Sequence, residues 1–298
     1  MQYLALDIGG TNLKYALIDH SGNILEDFRT PTPQNKEDFL AAVDKIVEEY
    51  QSKINGFAFC APGKIVGGTI DFGGALPFLD GVDFKERYQD LNIPVWGIND
   101  GKAGVLAESW RGSLKDCANC AAVVLGTGVG GGIIVNGQLI RGFHEQAGEL
   151  SFMQTNYDTD LMHSMVGGNC SAVQLIEAVN QAEGNSDLND GFAAFQAINA
   201  GEKQAVKLFT EFCDRIAILI INLQSVVDLE KISIGGGISA QDTVITGIRE
   251  AVDRFYNSSD LIKMTFQQPE IVQAAFRNKA NLYGALYNLL LQVNSEEL

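Results

Sequence analysis

Positive charge is scarce in this chain of 298 residues: 21 lysines and arginines stand against 37 aspartates and glutamates, a formal net charge of −16 at pH 7. A chain this acidic is a poor match for a general nucleic-acid or anionic-membrane binder. An anionic nucleotide remains possible where main-chain N–H groups and a metal ion do the local work. Long hydrophobic runs are also missing. No stretch reaches the ~18 uninterrupted apolar residues of a membrane span. The opening segment, Met1 to Asp7, shows neither a basic region nor a cleavage-like site, so the expected location is the cytoplasm. Cysteine is sparse and odd in number, five in all, which fits reduced buried thiols better than a disulfide framework. Cys117 and Cys120 form a lone C-x-x-C without a second pair or a nearby histidine, and read as a strand edge entering the core. His144 and His163 are isolated and read as ordinary surface or satisfied histidines.

What is plentiful is glycine, 32 residues, many in tight clusters that suit loops where backbone must approach something closely. With 46% apolar and 19% charged residues the chain is expected to pack, and its length suits two domains. Residues 3–8 and 13–18 read as a hairpin turned at Gly9-Gly10-Thr11-Asn12, with a third strand near 24–29. Phe39, Val43, Ile46, Tyr50 and Ile54 recur at helical spacing, predicting a helix over 36–54 capped by Asn35. Strands follow at 55–60 and 94–99, then a helix over about 102–111. This alternation implies a mostly parallel sheet covered by helices.

The second half repeats the scheme. A strand at 121–125, a turn from Gly126 to Gly132 and a returning strand at Ile133–Val135 mirror the first hairpin. A long helix over 204–228 carries Val206, Phe209, Cys213, Ile216, Ile220, Leu223 and Val227 on one stripe. Lys231 to Ile234 lead into Gly235-Gly236-Gly237 and another helix, and a last helix over 278–293 carries Leu282, Leu286, Leu289 and Val293. The expected division is a small lobe over 1–115, joined by the last helix, and a large lobe over 116–277.

The glycine clusters are candidate phosphate sites. At Asp7-Ile8-Gly9-Gly10-Thr11-Asn12, side-chain-free backbone can reach phosphate oxygens, and Asp7 can hold Mg²⁺ through water; G-G-T-N is also good plain turn chemistry. Gly126 to Gly132 contains G-x-G-x-x-G, but a strand follows where the dinucleotide fingerprint needs a helix, so it reads as a phosphate hairpin. Gly235, Gly237 and Ala240 fit G-x-G-x-x-A at a helix entry, or the cluster packs flat under a nucleotide base; both readings stay open. Asp100 ends an apolar strand where a helix starts. There the helix N-terminus favours the ionised carboxylate a general base needs, although a simple helix cap would look alike. Glu149, beside Gly148, suits pairing with sugar hydroxyls, and a solvated surface glutamate is the plain alternative.

In order and spacing these motifs resemble those of the ROK family of sugar kinases and repressors, within the actin-like ATPase superfamily. D-I-G-G-T-N, Ala61-Pro62-Gly63, I-N-D-G-K, G-T-G-V-G-G-G-I-I, Gly142 to Leu150 and I-S-I-G-G-G-I-S follow one another over nearly the whole chain. The resemblance implies an α/β, two-lobed actin-like (ribonuclease H-like) ATPase fold, with mixed sheets flanked by helices and a central cleft. It implies Asp100 as base, with Gly63, Gly74, Asn99, Asp100 and Glu149 at the sugar. Asp7, Gly9, Gly10, Thr11, Asn12, Gly126, Thr127, Gly128, Gly130 and Gly131 would serve the phosphates, and Gly235, Gly236 and Gly237 the adenosine. ATP and Mg²⁺ are the expected cofactors, a sugar the expected substrate and a homodimer the expected assembly. No helix-turn-helix precedes the first strand, so the repressor branch and a nucleic-acid partner are not expected.

The departures carry information. Ser151 stands where family glucokinases have a histidine, and Gly168-Asn169-Cys170 stands where they have a zinc cluster, so no zinc site is expected. Gly74-Ala75-Leu76 stands in place of P-N-L, and Ile98 and Lys102 in place of Glu and Asn around Asp100. Loss of the histidine and of the zinc-loop glutamate opens room at C1 of the sugar. That pattern, with Phe72 to Leu79 and A-E-S-W-R-G, resembles the β-glucoside kinases, which phosphorylate O6. A zinc-free glucokinase or other hexose kinase is the rival within the fold. Outside it the rivals are a silent sugar-binding regulator and an NAD-dependent oxidoreductase.

Overall fold

The computed structural model describes residues 1–156 and 164–294. The chain forms two compact units. The first holds Met1–Arg111, Arg141–Ala147 and the chain from Lys279 on; the second holds Gly112–Ile140 and Gly148–Asn278. A linear division at 115/116 does not describe this, because 141–147 groups with the first unit. The cause is a pair of ties: Lys102 donates to the Glu145 carbonyl, and Arg141 Nη2 donates to Asn288 Oδ1 at 2.5 Å.

In the first unit β1 (Gln2–Ile8), β2 (Asn12–Asp19) and β3 (Ile24–Pro31) pair antiparallel, as glycine-turned hairpins must. β4 (Phe57–Ala61) pairs parallel to β1. A small sheet of β5 (Lys64–Val66), β6 (Thr69–Phe72) and β7 (Val82–Asp83) intervenes before β8 (Val95–Asn99), which lies parallel to β4. The main order is β3-β2-β1-β4-β8, so the sheet is half antiparallel rather than mostly parallel. The helix Lys36–Tyr50 starts where Asn35 Oδ1 accepts the Asp38 N–H at 2.9 Å. It stops at Tyr50; Ile54, 6% exposed, reaches the core from the turn beyond. The C-terminal helix Ala280–Asn294 lies on the helix Asp100–Arg111. A methyl at Gly284 would come 1.8 Å from the Ala103 carbonyl oxygen, so the contact needs glycine. Leu282, Leu286 and Leu289 are buried, whereas Val293 is exposed and leaves the expected stripe.

The second unit repeats this plan strand for strand. β9 (Cys120–Leu125), β10 (Val129–Val135) and β11 (Gln138–Leu139) pair antiparallel. β12 (Lys231–Gly236) pairs parallel to β9, and β13 (Glu270–Gln273) parallel to β12, giving the order β11-β10-β9-β12-β13. The long helix Lys203–Val227 buries Phe209, Cys213, Ile216, Ile220 and Leu223, while Val206 is exposed. Two glycine runs expected beyond the strands lie partly within them. Gly130, Gly131 and Gly132 lie in β10, and Gly235 and Gly236 end β12. A methyl on Gly131 would sit 2.3 Å from Leu150 Cδ1, and one on Gly236 2.0 Å from the Leu125 oxygen, so close packing explains both. Among the described residues no helix is long and apolar enough to cross a membrane.

Candidate functional site

In the first unit, Asp7 pairs with Cys60 and Cys60 with Ile98 across three parallel strands. β1, β4 and β8 therefore end side by side, and Gly9–Asn12, Pro62–Gly63 and Asp100 leave from one sheet edge. Ligands bind beyond such carboxyl ends. Asp7 is 4% exposed. Its Oδ2 accepts from the Lys14 ammonium at 2.9 Å, and its Oδ1 from the Asn281 amide at 3.0 Å and the Cys60 thiol at 3.4 Å. Burial, then the charges of Asp7 and Asp100, push the Cys60 thiol well up, so it stays protonated and can donate.

The glycine turn is held from behind. The Gly9 N–H bonds the Asn12 carbonyl at 3.1 Å, Thr32 donates to the Gly9 oxygen at 2.6 Å and Gln34 to the Gly10 oxygen at 3.0 Å. Arg29 fixes the Asn12 side chain at 2.7 Å. Gly10 and Thr11 are exposed, and a methyl on Gly10 would meet nothing within 4 Å. Beside the turn, Gly63 (φ +84°) and Gly74 (φ +58°) lie backbone on backbone. A methyl on Gly63 would fall 2.7 Å from the Gly74 nitrogen. The Gly63 carbonyl in turn accepts the Asn99 amide at 3.0 Å.

Asn99 is the residue that caps the helix. Its Oδ1 accepts the N–H groups of Gly101 at 2.9 Å and Lys102 at 3.2 Å. Asp100 is half-buried and its Oδ1 accepts the Gly101 N–H at 2.8 Å. A capping need alone therefore does not account for the carboxylate at 100. Ile98 is buried in the core.

In the second unit the turn proper is Gly126–Gly128, closed by Gly126 N–H to the Gly128 oxygen at 3.0 Å. Thr127 is exposed. The helix Ala172–Ala182 begins at this turn, its Ala172 N–H bonded to the Gly126 oxygen at 2.9 Å. Leu125, Gly126, Ala172, Phe192, Phe195 and Gly237 help to line a cavity of about 490 Å³. Gly235 and Gly236 are strand, Gly237–Ala240 is one tight turn and the next helix starts at Asp242, so the G-x-G-x-x-A helix entry is absent. Gly237 instead opens on the cavity, where a methyl would meet nothing within 4 Å.

Glu149 is half-buried rather than solvated, at the head of a turn Leu150–Phe152. Ser151 faces the hairpin. Its Oγ accepts the Val129 N–H at 2.9 Å and donates to the Val129 oxygen at 3.0 Å. Cys170 is buried, and burial raises its thiol to about 12. No group of three or more His, Cys, Asp or Glu side chains is poised for a metal ion among the described residues. His163 lies outside the described residues.

Sequence reasoning missed the partners of Asp7 and most of the cavity wall. Asp190, whose Oδ1 accepts the N–H groups of Phe192 and Ala193 at 3.0 Å, was the available signal for the helix that bears Phe192 and Phe195.

Two mixed sheets of matching order, each opening on a glycine hairpin, define an actin-like ATPase fold. The chain belongs to the ROK family, whose model matches residues 3–292. It is 29% identical to the β-glucoside kinase of Listeria monocytogenes, over all of both chains. The structure of a ROK family protein from Streptococcus pneumoniae in complex with sucrose superposes with a TM-score of 0.89 at 31% identity, covering 99% of this chain and 100% of that one. A ROK family glucokinase from Streptomyces griseus, in complex with glucose and AMPPNP, shares the fold at a TM-score of 0.79 and 23% identity, covering 96% and 98%. The protein is thus a sugar kinase. Its family also holds glucokinases and N-acetylmannosamine kinases of similar likeness, so membership leaves the sugar open.

Proposed function

We propose that this kinase moves the γ-phosphoryl group of ATP to O6 of a β-linked glucoside such as cellobiose. The observation that carries the choice of sugar is Ser151. It stands where the resemblance places a sugar-binding histidine, and its one proton is spent on the Val129 oxygen while it also accepts the Val129 N–H. That residue has no donor left for an anomeric hydroxyl, and a small side chain leaves space for an aglycone. The Listeria β-glucoside kinase supports the same choice.

In this reading Asn99 and the Gly63–Gly74 contact shape the acceptor side, and Glu149 bonds sugar hydroxyls. Asp100 accepts the O6 proton as the oxygen attacks the γ-phosphorus, and the bond to the ADP oxygen breaks. The turns at Gly9–Asn12 and Gly126–Gly128 offer N–H groups to phosphate, and the cavity beside Gly237 takes the base. Asp7 has three protein donors on its two oxygens, which leaves it suited to Mg²⁺ through water rather than by direct ligation. Bound with ATP, that ion offsets phosphate charge. The enzyme works in the cytoplasm as a homodimer.

Steady-state kinetics with cellobiose and glucose at fixed MgATP test the sugar. Cellobiose is expected to have the higher kcat/KM. A buried hydroxyl left without a partner costs ~1–3 kcal/mol, roughly a 5- to 160-fold effect on glucose. Preference for glucose with cellobiose inert would make this a zinc-free glucokinase.

A further inference from the structure

The first unit buries a lysine. Lys102 is 2% exposed, two residues after Asp100 in the same helix. A buried ammonium persists only where it is well bonded. This one donates to the main-chain oxygen of Glu145. Glu145 has φ +60°, a left-handed conformation that a residue other than glycine adopts only when its surroundings hold it there.

Those surroundings form a ring. The Glu145 carboxylate pairs with Arg141 at 3.4 Å, and Arg141 Nη2 donates to Asn288 Oδ1 at 2.5 Å. Asn288 is fully buried and donates to the Gly97 oxygen in β8 at 3.1 Å. From Gly97 the chain runs through Asn99 and Asp100 back to Lys102. The ring therefore brackets the Asn99-Asp100 pair on one side and the 141–147 segment on the other. In sequence that segment leads at once into Gly148 and Glu149.

We propose that Lys102 is a positioning residue for the acceptor sugar. Its ammonium fixes the 141–147 segment to the helix that bears Asp100, and so holds the Asn99-Asp100 end of that helix in place. The proposal rests on reading Asp100 as a sugar-facing residue.

Lys102→Met keeps the apolar stem and removes the charge. With the sugar that the wild type turns over fastest, KM for that sugar is expected to rise about tenfold or more, the effect of losing one charge-assisted hydrogen bond. KM for MgATP should stay within about twofold, with kcat changing less than the sugar KM. Lys102→Arg should restore much of the lost affinity. Amide exchange over 141–147 should quicken in Lys102→Met. Arg141→Gln, at the half-exposed end of the ring, should shift the sugar KM in the same direction by less, and it serves if Lys102→Met does not fold. An unchanged sugar KM in a folded Lys102→Met or Arg141→Gln protein overturns the proposal, as does an equal loss toward sugar and MgATP. Because the best wild-type sugar is used, a wrong assignment of cellobiose leaves this test intact. An active Asp100→Asn enzyme would separately undo the reading beneath it.

Discussion

The two glycine hairpins share one topology and differ in chemistry. In the first unit the hairpin is charged: Asp7 and Lys14 face each other across β1 and β2, in register and 2.9 Å apart. In the second the corresponding strands carry Leu125, Val129 and a run of glycines, and the polar side-chain contacts come from the neutral Ser151 and Ser171. The repeat thus supplies the same backbone twice, once dressed for ionic chemistry and once for close fit. The first unit accordingly holds the candidate base, and the second holds a cavity of about 490 Å³.

The largest test of that contrast is Asp100→Asn. A general base contributes ~10²- to 10⁴-fold, so kcat should fall by that range. Asn99 keeps the helix capped, so the melting temperature should hold and sugar binding, measured by calorimetry, should survive. A variant with near-wild-type kcat would remove Asp100 from the role.

Shape in the second unit is tested at Gly236, where φ is +96° and a methyl would lie 2.0 Å from the Leu125 oxygen. Gly236→Ala sets backbone against backbone and should cost at least about 2 kcal/mol of stability. Gly10→Ala in the first unit meets nothing within 4 Å and should change stability by about 0.5 kcal/mol or less, yet raise KM for MgATP. Equal losses of melting temperature in the two variants would erase the distinction.

How far the sequence reached follows the same physics. Local patterns were legible: the stripe Phe39, Val43, Ile46 and Tyr50 marks its helix, and the paired glycine turns mark two hairpins whose sheets do repeat. What stayed hidden is set by contacts across the chain. Asp7 draws Lys14, Cys60 and Asn281 from 7, 53 and 274 residues away, and no local pattern announces them. β13 is four residues long with only Ile271 buried, too short for periodicity to show. Gly130 and Gly131 read as turn because glycine for a loop and glycine under a Leu150 side chain look alike until the partner is seen. Ser151 could be read as a departure, but that it turns onto Val129 is a matter of tertiary contact.

The smallest expected effect concerns acid. Three carboxylates held below their usual range, Asp19, Asp44 and Asp83, lie in the first unit. For Asp19 the cause is first the Asn23 side chain, and for Asp44 first the Arg87 guanidinium. Burial pushes Asp83 the other way but is outweighed by the Glu86 N–H and the Thr69 hydroxyl. A carboxylate depressed on folding stabilises the protein above its unfolded value near ~4, and that stability is lost as pH falls through the folded value. The first unit should therefore loosen first on acidification from about pH 4 downward. Amide exchange should show the Lys36–Tyr50 helix, which carries Asp44, losing protection before Lys203–Val227 in the second unit. Asp44→Asn should narrow that gap while costing about 1 kcal/mol or less at neutral pH, since the pair with Arg87 is part-exposed and screened. Simultaneous loss in both helices, or earlier loss in the second unit, would show that the ionic character of the first unit does not govern its acid stability.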